Sequence, residues 1–496
     1  MNTRTNNSVS IKVNNFGPIS EAKVDLRPLT VLVGHSNTGK SYFATVIYAL
    51  LRKLKYSHND LLPTTHGISY SEFDNLMRET AKRLHSQLSQ KDPKQFELGD
   101  KFHEYLNTVY NKKLSTLPLE LVRYLGVDDV SCLTQKHQQN LAKIKMKTSA
   151  MNREHLEKHS IELSTEPKHK FSFPLSLPLP QEVIKIAMLK QSTNYLMQNQ
   201  NDSNSSEDVL KFEVYKFFRI LLDTLISPYE ETYCSQAIYL PASRTGIMNT
   251  FNDLVKSSIR FSSSNLVPPS ADESNFTKII ADFLINLIQI DPEYSRNQQL
   301  GGFEKGIEKT ILKGRVNIDN TEESKIPNFS YQPNGWKEGM PLASASSMFS
   351  ELAPIVLFLQ YEIKPGMLLI IEEPESHLHP AMQAELANQL AKLVNEGIRV
   401  VVTTHSEWVV EALANNVHRS KIKKENNVEI SRSAIALKKD QVGVWLFKNN
   451  RKKKGTVVRE IKLGKSIAEQ YQTGYDRVAI NLHNEWVGIA NIVENS

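Results

Sequence analysis

The run Gly34-His35-Ser36-Asn37-Thr38-Gly39-Lys40-Ser41 has the spacing GxxxxGK[ST], and its residue types suit the holding of phosphate. Glycines let a loop fold back until its N–H groups and the next helix N-terminus surround an anion. A lysine then reaches the β/γ-phosphates, and a serine hydroxyl ligates Mg²⁺. Gly34, Asn37, Thr38, Gly39, Lys40, Ser41 and the following Tyr42 are therefore the expected nucleotide contacts, with ATP and Mg²⁺ as the implied cofactors. A Gly-rich turn capping an ordinary helix is the competing reading. Chance produces the pattern in roughly two chains in a hundred of this length, and its place between a buried strand and a helix makes it rarer still.

Such a loop needs an acid at the end of a neighbouring buried strand. Met367 to Ile371 is an unbroken apolar run that ends in Glu372-Glu373, as a strand covered on both faces would. Charges there are costly unless they meet a cation. Glu372 is the expected metal-side acid, beside Ser41, and Glu373 the general base or water-orienting group. The alternative is an exposed acidic turn containing Glu372, Glu373 and Glu375. A third run, Val400 to Thr404, ends at His405-Ser406. An imidazole at that edge can donate to a γ-phosphate or an attacking water, so His405 joins Glu373 as a catalytic candidate.

The elements that must position these residues can be read around them. Ile11 to Val13 and Leu29 to Val33 read as strands, and Tyr42 to Leu54 as a helix. From 346 the order is helix, strand, helix, strand, helix. Residues 311–345 give alternating fragments around an Asn334-Gly335 turn, as in a small antiparallel sheet. Gly443 to Phe447 and Thr456 to Ile461 read as a closing hairpin around the basic loop Lys448 to Lys454. Between them, 56–235 reads as a polar, mainly helical insertion, with helical spacing from Phe73 to Leu88 and from Val209 to Leu222. Residues 135–160 carry six basic residues against two acids, Glu154 and Glu157. A solvated helix face is the preferred reading there, over a phosphate-binding patch. The expected divisions are thus 1–55 and 236–496 for the two parts of one head, and 56–235 for the insertion.

The chain has 496 residues, 40% hydrophobic and 23% charged, with net charge +6, which excludes a largely disordered protein and permits an acidic partner without demanding one. Only Cys132 and Cys234 occur, too few for a disulfide framework, and no signal core or bilayer-length apolar run is present. A cytoplasmic location without a membrane is the expectation.

Taken together, GHSNTGKS, LLIIEEPESHLHP and VVVTTHS, with SASSMFSELAPIVLFL before the second and VNNFGPISEAKVDLRPLTVLVG at the start, resemble the SMC/ABC-type ATPase heads of the OLD-like and AAA-15/AAA-21 families. The resemblance covers roughly 8–55 and 236–496. It implies an α/β fold, an ABC/SMC-type P-loop head with a mixed core sheet and an antiparallel subsheet. It also implies two heads closing on two ATPs, each head's signature serine touching the other's γ-phosphate. Ser346 and Ser347 hold that position, although Met348 stands where ABC signatures have Gly, and Ser347 as a simple helix N-cap is the alternative. Glu372 replaces the usual Asp. His377 and His379 are read as dimer-interface residues rather than metal ligands. Leu240 to Arg244 resembles the PxxR segment, leaving Arg244 either to reach a phosphate or partner head or to form an internal ion pair. No acidic cluster of a TOPRIM nuclease follows His405. Among families the chain looks most like the stand-alone ATPases of bacterial anti-phage systems, of Septu type, sometimes retron-associated, and the related PARIS type. There the ATPase restrains a separate nuclease-like effector of HNH or TOPRIM class. The alternative is a DNA-repair or chromosome-maintenance ATPase that contacts nucleic acid through its basic stretches.

Overall fold

The structure, a computed structural model, describes residues 8–54, 68–89, 95–97, 99–135, 142–152, 155–164, 170–172, 176–178, 183–198, 207–225, 236–263, 276–290, 303–319, 327–420, 435–463 and 485–486. The Asn199 to Asp208 and Ser262 to Asn275 loops expected from composition, and Lys421 to Lys424, lie largely or wholly outside these residues.

Strands β1 (Ser8–Phe16) and β2 (Ile19–Leu26) form a hairpin, and β3 (Leu29–Gly34) leads through the glycine loop into helix α1 (Lys40–Leu54). The insertion follows with α2 (Tyr70–Leu88), β4 (Gln95–Glu97), α3 (Asp100–Ser115) and α4 (Leu117–Leu125). It continues through β5 (Lys143–Asn152), β6 (His155–Ser164), β7 (Lys170–Ser172), β8 (Ser176–Pro178), α5 (Val183–Gln198) and α6 (Glu207–Leu225). The head resumes with β9 (Ala237–Leu240), α7 (Arg244–Ser263), α8 (Lys278–Ile288) and α9 (Phe303–Ile307). After these come β10 (Gly314–Asp319), β11 (Asn328–Pro333), β12 (Met340–Pro341) and α10 (Ser347–Tyr361). The chain then runs through β13 (Leu368–Glu372), α11 (Pro380–Asn395), β14 (Arg399–Thr404), α12 (Glu407–Arg419), β15 (Val442–Asn450) and β16 (Gly455–Ile461).

Among the described residues one mixed sheet has the order β7-β6-β5-β1-β2-β16-β15-β3-β14-β13-β9. Strands β15, β3, β14, β13 and β9 are mutually parallel, which is why their sequences are continuous apolar runs: helices cover both faces. The core on one side packs α10, α11 and α12 on Val31, Leu369, Val402 and Val444, and the other packs α1 and α4 on Leu32, Ile370 and Val401. Because the five strands run the same way, Gly34, Leu240, Glu372 and Thr404 all arrive at one edge of the sheet. Beyond β15 the sheet turns largely antiparallel, and β10, β11 and β12 form the small antiparallel sheet that the 311–345 fragments predict.

Two readings of the sequence need correction. Residues 143–152 and 155–164 are a strand pair, β5 and β6, rather than a solvated helix face, and β5 hydrogen-bonds to β1 from Ser8↔Ser149 to Asn14↔Lys143. Ile144 and Met146 are buried while Lys143 is exposed, a period of two that the density of lysines masks. Strand β2 is an addition, although Ala22 and Val24 alternate with Glu21, Lys23 and Asp25 behind a Gly17-Pro18 turn. Within the insertion, α2, α3, α5 and α6 share a core around Phe73, Phe102 and Phe217, while α4 packs its Leu117, Leu121 and Tyr124 with α1 in the head.

Candidate active site

Strand β3 delivers the loop at residues 34–40 to the parallel edge. Gly34 passes so close to β15 that a Cβ there would lie 2.3 Å from the Phe447 carbonyl oxygen. Gly39 has φ +89°, and a Cβ on it would meet Ile19 and Pro18 at 2.8 Å. Both glycines are thus required by the backbone path. Thr38 ties the loop by donating to the His35 carbonyl at 2.8 Å, and Asn37 takes a left-handed φ of 60° that asparagine tolerates. Residues 35–37 face solvent, as does Ser41. Tyr42 stacks edge-on to Phe16 over Gly17, at the start of α1.

The Lys40 ammonium folds back on its own loop, donating to the Gly34 and His35 carbonyls at 2.8 Å each. Burial pulls its pKa down to about 8, against the opposing pull of Glu373, Glu375 and Glu372. Ser41 Oγ donates to Glu372 Oε2 at 3.2 Å. Those are two hard oxygen donors brought side by side, the donor type that Mg²⁺ takes. The residues therefore fit the ion, whose further ligands would be waters and phosphate oxygens. Among the described residues no group of three His, Cys, Asp or Glu forms a metal site by itself.

Glu372 is almost fully buried, and burial raises its pKa. Tyr239, on the adjacent strand β9, donates its hydroxyl to the other oxygen, Oε1. That contact orients the longer side chain found here in place of Asp. Glu373 has φ 43°, a strained value for a non-glycine residue, and its N–H donates to the Thr403 carbonyl at 2.9 Å. The turn thereby swings its carboxylate out to His405, whose Nε2 lies 2.9 Å from Oε1 with both side chains about one-third exposed. The hydrogen bond from His405 lowers the Glu373 pKa, so this carboxylate stays ionised and able to orient a water.

Glu375 is buried, not part of an exposed acidic turn. Its Oε1 accepts from Thr404 Oγ1 at 2.5 Å and from the His405 N–H at 2.8 Å, which fixes the imidazole's backbone. Burial raises its pKa, against the opposing hydrogen bonds from Thr404 and the His405 N–H. Ser406 caps α12 through Val409 N–H and donates to Gln383 at 2.5 Å.

Arg244 resolves to the internal ion pair. Fully buried, it lies 2.7 Å from Glu351 Oε1 of α10 and donates to the carbonyls of Glu372 at 2.6 Å and Pro241 at 2.7 Å. It also reaches the Glu351 carbonyl at 3.0 Å and that of Glu373 at 3.4 Å. Glu351 Oε2 in turn accepts from the N–H and hydroxyl of Thr245, both at 2.8 Å. One guanidinium thus joins the acid-bearing strand end to the helix that begins at Ser346-Ser347. The cap residue of that helix is Ser346, not Ser347, and it caps through its backbone without a side-chain bond. Both serines are exposed, and neither side chain bonds to the loop or the carboxylates. His377 and His379 are also exposed; His379 caps α11, with Nδ1 3.4 Å from the Ala381 N–H.

The structure therefore brings Gly34 to Ser41, Glu372, Glu373 and His405 to one sheet edge, with Ser346 and Ser347 exposed at the start of a helix that Arg244 ties to that edge. Sequence reasoning missed Tyr239 and Glu375 as parts of the site, and only the PxxR resemblance pointed to Arg244.

A family model described as an AAA ATPase domain matches residues 9–410. No curated protein matches. Among solved structures, the Smc head domain with an extended coiled coil from Pyrococcus furiosus, solved with the C-terminal domain of ScpA, superposes with a TM-score of 0.39 at 10% identity, covering 92% of this chain and 97% of that one. The SMC head domain from Thermotoga maritima gives a TM-score of 0.35 at 10% identity, over 92% of this chain and 99% of that one.

Proposed function

We infer, starting from the fact that this chain belongs to the AAA ATPase domain family, that it is a Mg²⁺-dependent ATPase whose heads pair around nucleotide and switch a separate effector. The observation that carries the ATPase reading is the convergence of Lys40, Ser41, Glu372, Glu373 and His405 on one edge of the sheet. The loop amides and the α1 N-terminus would hold the phosphates, and Lys40 would exchange its Gly34 and His35 carbonyls for phosphate oxygens. Mg²⁺, held by Ser41 and Glu372, would offset charge on the phosphates. Glu373, ionised and braced by His405, would orient the attacking water. Ser346 and Ser347, exposed at a helix N-terminus, are suited to meet the γ-phosphate of a second copy.

The effector we propose is nuclease-like and the setting anti-phage defence, of the Septu or PARIS kind. Support comes from the resemblance of the motifs and from an insertion four of whose five helices, α2, α3, α5 and α6, have their own core, able to meet a partner apart from the head. The test is native mass spectrometry of the chain tagged at its own locus and purified in Mg-ATP. An even-numbered assembly holding a second, nuclease-like protein is the expected result. A bare dimer, or one carrying only chromosomal DNA, would move the assignment to DNA repair or maintenance, and cleavage of DNA or RNA by the isolated chain would overturn the separate-effector reading.

A further inference from the structure

On the antiparallel side of the sheet, one face packs on α1 through Val9, Ile11, Val13, Ala22 and Val24, and the other carries lysines. Lys12 on β1 is registered directly against Lys23 on β2 and against Lys145 on β5. Three ammonium groups therefore stand in line on adjacent strands, an arrangement that costs stability, since like charges directly opposite one another repel. The line extends to β16: the last registered pair is Val457↔Glu21, and two residues further on Arg459 follows as Lys23 does, exposed to solvent. At about 4.8 Å per strand the four cations span roughly 14 Å. Lys143 and Lys453 flank them; among the described residues this face also carries the acids Glu21, bridged to Lys12 at 3.5 Å and Lys453 at 2.6 Å, and Asp25, while Glu162 on β6 is registered opposite Lys145.

We propose that this face, with the row Lys145–Lys12–Lys23–Arg459 at its centre, is a docking surface for duplex DNA, gripped through its phosphates. Charge complementarity supplies the attraction: a duplex carries one charge per about 1.7 Å, so a 14 Å row meets several phosphates at once. The described residues of the face include no aromatic side chain on which an unpaired base could stack, which selects duplex over single strand. Lysine and arginine contacts to phosphate oxygens position a duplex without reading its sequence. The row itself lies on the strands beside the exposed Arg451-Lys452 turn that sequence alone marks as basic, and Lys453 of that turn reaches its edge through Glu21. It does not rest on the switch reading, because a chain without ATPase activity would still bind through it.

The test is fluorescence anisotropy of a random-sequence duplex, a few helical turns long, with the full chain over about 50 to 200 mM salt. Lys12→Ser/Lys23→Ser should weaken binding about tenfold or more and lower the salt slope by about two, with nucleotide binding unchanged and the melting temperature equal or slightly higher. Arg451→Ser/Lys452→Ser should have the smaller effect. No binding by the wild type at low salt would overturn the proposal. So would a loss confined to the turn variant, tighter binding of single strand, or tighter binding of an acidic polypeptide than of the duplex.

Discussion

At the residue scale, the Lys40 ammonium is the group whose environment makes the clearest statement. Removing it in Lys40→Ala deletes charge-assisted bonds of about 1.5–3 kcal/mol, so nucleotide affinity should fall at least about tenfold in a calorimetric titration. Its pKa near 8, below the ordinary 10.5, gives two opposite pH trends. Nucleotide binding needs the ammonium, so affinity should decline as pH rises through about 8. The fold, by contrast, disfavours the buried charge, and the unfolded chain keeps the proton up to its higher pKa. The Lys40 contribution to stability therefore improves between about pH 8 and 10.5. Titrations of affinity and of melting temperature over the same range separate the two. Glu373→Gln should retain nucleotide binding while slowing turnover by about a hundredfold or more, measured by phosphate release. A wild-type rate would remove Glu373 from the role of water-orienting base.

At the scale of elements, the Arg244–Glu351 pair makes the end of β13 and the start of α10 a single unit. Arg244→Met strands a buried carboxylate and several carbonyls, with an expected cost of about 3–5 kcal/mol in thermal or denaturant unfolding. Adding Glu351→Leu should recover part of it, because the uncompensated charge goes too. The sequence shows the loop, the two acid-ended strands and their helices because each is a local pattern: glycines at fixed spacing, or an apolar run that stops at a charge. Arg244 is different. Its carboxylate partner lies 107 residues away, and no spacing rule joins the two. Tyr239 looks like any strand aromatic until the parallel register puts β9 beside β13. Glu375 reads as the third acid of a surface turn until Thr404 and the His405 amide are found on it. In the insertion the charge density of residues 135–160 conceals an alternation that only the β1 pairing makes meaningful.

At the scale of the whole molecule, the proposed pairing of heads would have the exposed Ser346 and Ser347 of one copy complete the site of the other. Glu373→Gln in Mg-ATP should accumulate as an even-numbered oligomer in size-exclusion chromatography with light scattering, and Ser347→Arg should return it to monomer. No change of mass with nucleotide would count against the paired-head reading. The sheet order also has a consequence for how the chain is made. Strand β3, which holds the phosphate loop, is flanked by β14 on one side and β15 on the other, so its neighbours are residues 399–404 and 442–450. A ribosome adding about 5–20 residues per second needs about 20–80 s to travel from Gly34 to β15. For that interval the nucleotide loop exists as sequence without its strand partners. An apolar segment waiting so long is a natural client for chaperones, and competence to hold ATP arrives only once β14 and β15 have been made.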